Sequence, residues 1–212
     1  MFVGLIVVFF MIATLVFFGV RFIQKNRDSQ NVSSKEKRDF AVLIGQLERL
    51  GYYKFMKPSD IDEVKSNSIA ANYIYGWEET GRDFSADQEE LAEGYVGEFI
   101  ESLHVFLRHE KVMIEHVDDL FADDNKGYQI IIDGRSYTIY SDEESNASNV
   151  WELSAIRTCS IVNELLCDAG SKERLYLLFG GNDGRVVFLT DAMYELIMKQ
   201  ELIPITDKPV IV

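Results

Sequence analysis

Along this chain, apolar residues first run unbroken and then recur periodically among charges. The unbroken run, Phe2 to Val20, reads FVGLIVVFFMIATLVFFGV. It holds no charge, and only Gly4, Thr14 and Gly19 interrupt it. At a rise of about 1.5 Å per residue, about 20 helical residues span the roughly 30 Å hydrocarbon core of a bilayer. Leu, Ile, Val and Phe each favour insertion by about 0.3 to 0.6 kcal/mol at the helix centre. A buried core helix of this length would carry a polar stripe. A cleavable signal needs a basic leader, a shorter apolar run and an A-x-A-like site. The sequence therefore predicts an uncleaved anchor over residues 1–23, a basic and polar tether over 24–38, and one acidic domain over 39–212.

Within the domain, the period names the elements. Phe40, Leu43, Ile44, Leu47 and Leu50 recur at helical spacing and stop at Gly51. Tyr52 to Met56 is aromatic and aperiodic. Pro58-Ser59-Asp60 opens a second helix with Ile61, Val64, Ile69 and Tyr73 inward and acids in its first turn, where the dipole favours them. Gly76 to Phe84, with Trp77 and Gly81, reads as a loop. Ser85 and Gln88 have capping-box spacing and begin a third helix. Its wide apolar face is Leu91, Tyr95, Phe99, Ile100, Leu103, Phe106 and Leu107. Gly94 and Gly97 each weaken that helix by up to about 1 kcal/mol relative to Ala, which points to close packing against a neighbour. Val112 to Phe121 alternates loosely, as a strand does.

Two hairpins are better signalled. Tyr128 to Ile132 and Arg135 to Tyr140 flank Asp133-Gly134, a two-residue type I′ turn signal. The register then opposes Ile130 to Tyr137 and Tyr128 to Ile139 on one face, and Ile131 to Ser136 and Gln129 to Thr138 on the other. Asn149 and Glu152 make a second capping pair for a helix reaching about Cys167, with Leu153, Ile156, Cys159, Val162 and Leu166 inward. Leu175 to Phe179 and Arg185 to Leu189 are almost wholly apolar, as central strands are, and Gly180 to Gly184 joins them. A last helix from Asp191 carries Met193, Ile197 and Met198. Leu202 to Val212 reads as extended, with Val210-Ile211-Val212 pairing inside the protein's own sheet. The order lacks βαβ alternation, so the class is α+β with a mainly antiparallel sheet.

Charge adds a topology and a kind of partner. Arg21, Lys25, Arg27, Lys35, Lys37 and Arg38 follow the apolar run against only Asp28 and Glu36. The positive-inside rule puts this flank, and the domain behind it, on the cytoplasmic side of the inner cell membrane, with the N-terminus outside. The cations also suit anionic headgroups. The whole chain carries a net charge of −14, and the domain beyond the basic tether is more acidic still. Such a surface repels phosphate backbones, which excludes nucleic acid and favours basic proteins or cations. With 47% hydrophobic residues and 12% aromatics, the chain is far from a disordered composition. Cys159 and Cys167 lie about 12 Å apart along one helix, too far for a disulfide between them. They read as free, mostly buried thiols of a reducing compartment.

Familiar chemical motifs fail on inspection. Gly180 to Gly184 lacks the G-x-x-x-x-G-K-[ST] pattern, and a strand follows it rather than a helix. Asp118, Asp119, Asp123, Asp124 and Asn125 before Gly127 suggest a calcium loop. Counting back from the glycine puts Ala122 and Lys126 where ligands are required. His109-Glu110 resembles the start of H-E-x-x-H, but Met113 stands at the second histidine's place, and His104 and His116 read as ordinary histidines. No G-x-S-x-G elbow occurs. The sequence thus predicts no catalytic residue, no metal site and no cofactor.

What remains is the acid excess between Glu78 and Asp124, set against Arg82, Arg108 and Lys111 alone. It nominates Trp77, Glu78, Glu79, Asp87, Glu89, Glu90, Glu93, Asp118, Asp119, Asp123 and Asp124 as a docking face for a basic protein, where complementary charge speeds encounter. The chain reads as a membrane-anchored, non-enzymatic interaction protein. In general character it is similar to bacterial immunity proteins that neutralise secreted toxins, a likeness of class that carries no motif or residue across. Two other readings stand beside it. One is a structural or assembly subunit of a membrane complex, although the anchor lacks G-x-x-x-G. The other is a membrane-tethered hydrolase with an acidic, metal-dependent site.

Overall fold

The computed structural model describes residues 34–121 and 127–212. The expected anchor and most of the tether lie outside the described residues, as do Asp123 and Asp124. Among the described residues no helix is long and apolar enough to cross a membrane. The helices are α1 (Ser34–Arg49), α2 (Ile61–Ala71), α3 (Gln88–Glu93), α4 (Val96–Ser102), α5 (His104–His109), α6 (Val150–Asp168) and α7 (Asp191–Met198). The strands are β1 (Asp83–Ser85), β2 (Val117–Phe121), β3 (Tyr128–Ile132), β4 (Arg135–Tyr140), β5 (Glu173–Phe179) and β6 (Arg185–Thr190). Among the described residues all pairings are antiparallel, in two sheets of order β1-β6-β5 and β2-β3-β4. The α+β expectation holds, with two sheets in place of one.

Both nearly all-apolar strands have their two faces covered, but only β6 is central; β5, expected to be central, lies at the edge of its sheet, where Val210 bridges to it. Successive side chains on a strand point to opposite sides. Leu175, Leu177, Val186 and Phe188 therefore enter one core, with α3 to α6 and the inner face of β2-β3-β4. Tyr176, Leu178, Val187 and Leu189 enter a second core, built from α1, Tyr52, Tyr53, Val64 of α2, and Met193 and Ile197 of α7. Each fully buried Leu, Val or Phe contributes about 1.5–3 kcal/mol. One sheet thus serves two cores.

Local chemistry accounts for the remaining agreements and departures. α1 begins at Ser34, so the last residues assigned to the tether form its first turn. It buries Phe40, Leu43, Ile44 and Leu47, but leaves Leu50 exposed where Gly51 (φ +85°) turns the chain. The Asp133-Gly134 turn forms with φ of 48° and 83°. Ile130 opposes Tyr137, Ile131 opposes Ser136 and Gln129 opposes Thr138, but Tyr128 opposes Tyr140 rather than Ile139. A bulge absorbs Ile139, so that Ile139 and Tyr140 are both buried. The long helix predicted from Ser85 is broken into α3, α4 and α5. Ser85 ends β1, and Asp87 is the N-cap, accepting from the Glu89 and Glu90 N–H groups at 2.9 and 3.3 Å. Gly94, at φ +110°, ends α3. Asn149 makes no side-chain cap on α6, which turns Ser154, Ala155, Thr158 and Ile161 inward and leaves Leu153 and Ile156 half-buried. The small residues let α6 lie close to its neighbours. Cys159 is buried, its thiol pushed up to about 12 by burial, whereas Cys167 is exposed, contrary to expectation. Gly180 to Gly184 is the hairpin joining β5 to β6, and Val210 pairs with Leu177 through two backbone hydrogen bonds of 2.7 and 3.2 Å.

The cores meet at Arg82, which is fully buried. Its guanidinium lies 5.4 Å from the ring of Tyr52, in the second core, and 4.9 Å from that of Phe55, against the first. Nε donates to Tyr52 O (2.6 Å). Nη1 donates to Phe188 O (2.9 Å) and Glu173 Oε2 (2.8 Å), and Nη2 to Gly51 O (3.2 Å) and Glu173 Oε1 (3.1 Å). Lys54 Nζ bridges Glu173 (2.8 Å) and Glu110 (3.1 Å), and Ser171 Oγ donates to Glu110 at 2.6 Å. Burial works to raise the Glu173 pKa, but Arg82 and then Lys54 overcome it and hold the carboxyl below its ordinary range.

Replacing Arg82 by Met strands that carboxylate. Breaking such a pair costs about 3–5 kcal/mol, read as a lower urea midpoint of the full-length protein by tryptophan fluorescence. A folded pKa below the unfolded value, roughly 4.3, means that the stabilisation is complete above that value and lost as pH falls through the folded pKa. The gap between wild type and Arg82→Met narrows from pH 7 to pH 3. A gap that stays constant over this range contradicts an ionised pair.

Candidate functional site

The broken helix creates a groove. α4 and α5 meet at the buried Leu103, and with the stretch from Val112 into β2 they enclose an open cleft of about 760 Å³. Its apolar floor comprises Ile100, Leu107, Val112, Ile114 and Val117. Glu98, Glu101, His104, Arg108, Glu115 and His116 supply the polar wall. All six of these polar residues are exposed, so they meet solvent while the floor stays largely covered.

One carboxylate holds the two walls together. Asp119 of β2 accepts the Gly97 N–H at the start of α4, with both oxygens at 3.1 Å. It also accepts a short hydrogen bond from the Tyr128 hydroxyl, which in turn accepts the Val96 N–H at 3.1 Å. The carboxylate thus does for α4 what an N-cap residue does, satisfying the orphan Gly97 N–H of the first turn from another element, while the Tyr128 hydroxyl takes that of Val96. Burial, and then Asp119, keep the Tyr128 hydroxyl protonated far above the usual phenol range. Gly97 is required because any Cβ there would collide with Asp119. On the other wall, the Asp133 side chain accepts the Glu115 and His116 N–H groups at 3.0 and 2.8 Å, fixing that stretch to the hairpin turn. His104 Nδ1 lies 2.9 Å from Glu101 O.

The described residues of the predicted acidic face have different surroundings. Trp77 is half-buried against the second core, its Nε1 3.5 Å from Tyr73 O. Glu78 and Glu79 belong to the adjoining 3₁₀ turn, Glu78–Thr80. Asp87 is spent on capping, and Glu89 accepts from Asn182 Nδ2 at 2.6 Å. Glu90 and Glu93 on α3 and Asp118 on β2 are exposed on the first-core side. Gly94 packs against Phe121 there, which brings the end of α3 to the end of β2. Asp119 is internal to the groove. The acids that rim the groove, Glu98, Glu101 and Glu115, were not among the nominated residues. Gly94 and Gly97, unfavourable in a helix, are the sequence signal that something approaches here. Among the described residues no group of three His, Cys, Asp or Glu side chains is arranged to hold a metal ion. No protein-family model, curated protein or solved structure matches the chain.

Asp119→Ala removes the cap and leaves the Gly97 N–H and Tyr128 hydroxyl without their acceptor. A lost cap costs about 0.5–2 kcal/mol, measured as a lower denaturation midpoint. Faster amide exchange confined to residues 95–102 is the accompanying signature, and unchanged exchange there contradicts the capping role.

Proposed function

We propose that this chain is a membrane-anchored, non-enzymatic interaction protein that receives a basic segment of a partner protein in the groove between α4–α5 and β2. The observation that carries the reading is the composition of that groove: an apolar floor under Glu98, Glu101 and Glu115, with Arg108 as the one Lys or Arg among the described residues of its lining. Apolar surface supplies affinity, and acidic walls select for Lys or Arg and against nucleic acid or anionic lipid. The apolar run at residues 2–20 and its basic flank support tethering at the cytoplasmic face of the inner membrane, where the partner would be met. Neutralising a toxin, as immunity proteins do, is one concrete form of this role.

Affinity purification of the full-length protein from its own membranes at low salt is expected to retain a stoichiometric basic protein. It is released as salt rises and absent from the Glu98→Lys, Glu101→Lys double variant. Retention of transmembrane proteins alone, indifferent to salt and to the charge reversal, overturns the reading and assigns recognition to the anchor.

A further inference from the structure

Among the described residues the sheet order β2-β3-β4 leaves β2 with one neighbour, and the phase of its free edge follows from the hairpin. A two-residue turn makes its flanking residues, Ile132 and Arg135, a hydrogen-bonded pair. Ile130 and Ile132 therefore direct their backbone groups to β4, and Gln129 and Ile131 direct theirs to β2. The Asp133 N–H, donated to His116 O at 3.0 Å, continues the same phase. Asp118 and Leu120, which oppose Ile131 and Gln129, bond to β3. Val117, Asp119 and Phe121 turn their N–H and C=O groups outward. The groove lining reaches this edge at Val117 and Asp119.

We infer that the partner contributes an extended, Lys- or Arg-bearing segment that pairs with β2 as a fourth strand, sending alternate side chains into the groove. This rests on the groove-docking reading above and states how the partner is held. An unpaired edge is a ready template for another strand, and the side chains beside it decide which strand. Here they are acidic: Asp118 on the edge strand itself, with Glu98, Glu101 and Glu115 along the cleft. A second copy of this chain, edge to edge, would set Asp118 and Asp119 against their own kind. A basic strand is matched instead. The far end of the edge supplies an apolar hold, because Leu120 (45%), Phe121 (40%) and Tyr95 (50%) are exposed. Phe121 is already fixed by stacking on Tyr128 at 4.7 Å. The edge is thus pre-organised, with Asp119 locked by Gly97 and Tyr128 and both ends of the strand anchored.

The test uses the full-length protein and a synthetic ten-residue peptide of alternating Lys and Val, with a control in which every Val is Pro. The control keeps the charge and cannot form a ladder. On binding the first peptide, the amides of Val117, Asp119 and Phe121 are expected to gain protection from hydrogen exchange. The Pro control, and the Val117→Pro variant of the protein, which deletes one outward N–H and no ladder bond, are each expected to bind at least tenfold more weakly. Equal affinity for both peptides, or binding that leaves those three amides unprotected, overturns strand addition while leaving charge docking intact. No binding of either peptide at low salt overturns both. Should Val117→Pro fail to fold by circular dichroism, the exchange measurement on the natural sequence decides.

Discussion

Everything in this fold is arranged around a guanidinium with no access to water. Arg82 carries five N–H donors that must all be met inside the protein, because an unpaired buried donor or charge is far costlier than any single bond is favourable. Meeting them fixes three separate pieces of chain: the Gly51–Tyr52 carbonyls beyond α1, the Phe188 carbonyl on β6 and the Glu173 carboxylate at the start of β5, whose other flank Lys54 holds. Replacing such a buried group by well-packed apolar side chains is often neutral or stabilising, so an ion pair of this kind is a poor source of net stability. Burial of both faces of β1-β6-β5 supplies apolar contact on either side of the sheet. What the bonds of Arg82 add is a fixed registry of the two cores about their shared sheet.

The groove depends on that registry. β1 begins next to Arg82 and leads through Ala86, whose N–H donates to Gly184 O at 2.7 Å, directly into the Asp87 cap of α3. From there three short helices follow in place of one long one, since Gly94 ends α3 and the chain redirects at Leu103. The break lets α4 lean on Asp119 while α5 returns to stack Phe106 on Phe188 at 3.7 Å, and the space between them and β2 stays open. A corner ion pair, a sequence of caps and a glycine thus produce a concave acidic surface beside the outer edge of β2, which has no partner among the described residues.

Much of the fold was legible because it follows from period and turn chemistry. The inward faces of α1 and α7, the Asp133-Gly134 hairpin and the doubly covered strands β5 and β6 each rest on local rules. The departures rest on partners distant in sequence. Ser85 and Gln88 have the right spacing for a cap, but β6 claims Ser85 as a strand partner and Gln88 bonds to Gly181, so the cap passes to Asp87. Asn149 loses its capping role, and Ile139 is absorbed by a bulge. Arg82, one cation in an acidic stretch, carries no local mark of being the most buried charge. Of the nominated binding residues, Asp87, Asp119 and Trp77 proved to be held by the fold itself. Glu98, Glu101 and Glu115 face the cleft because of a helix break that only the two glycines hinted at.

The most direct measurement is native-state hydrogen exchange on the full-length protein, comparing the amides of a fully buried helix residue from each core, Leu47 in α1 and Val162 in α6. If Arg82 and Glu173 lock both cores to one sheet, the two amides exchange through the same global opening. Their free energies are then equal and fall together in Arg82→Met. Exchange of the two cores with separate free energies in the wild-type protein, each indifferent to Arg82, would contradict a shared sheet pinned by one buried charge.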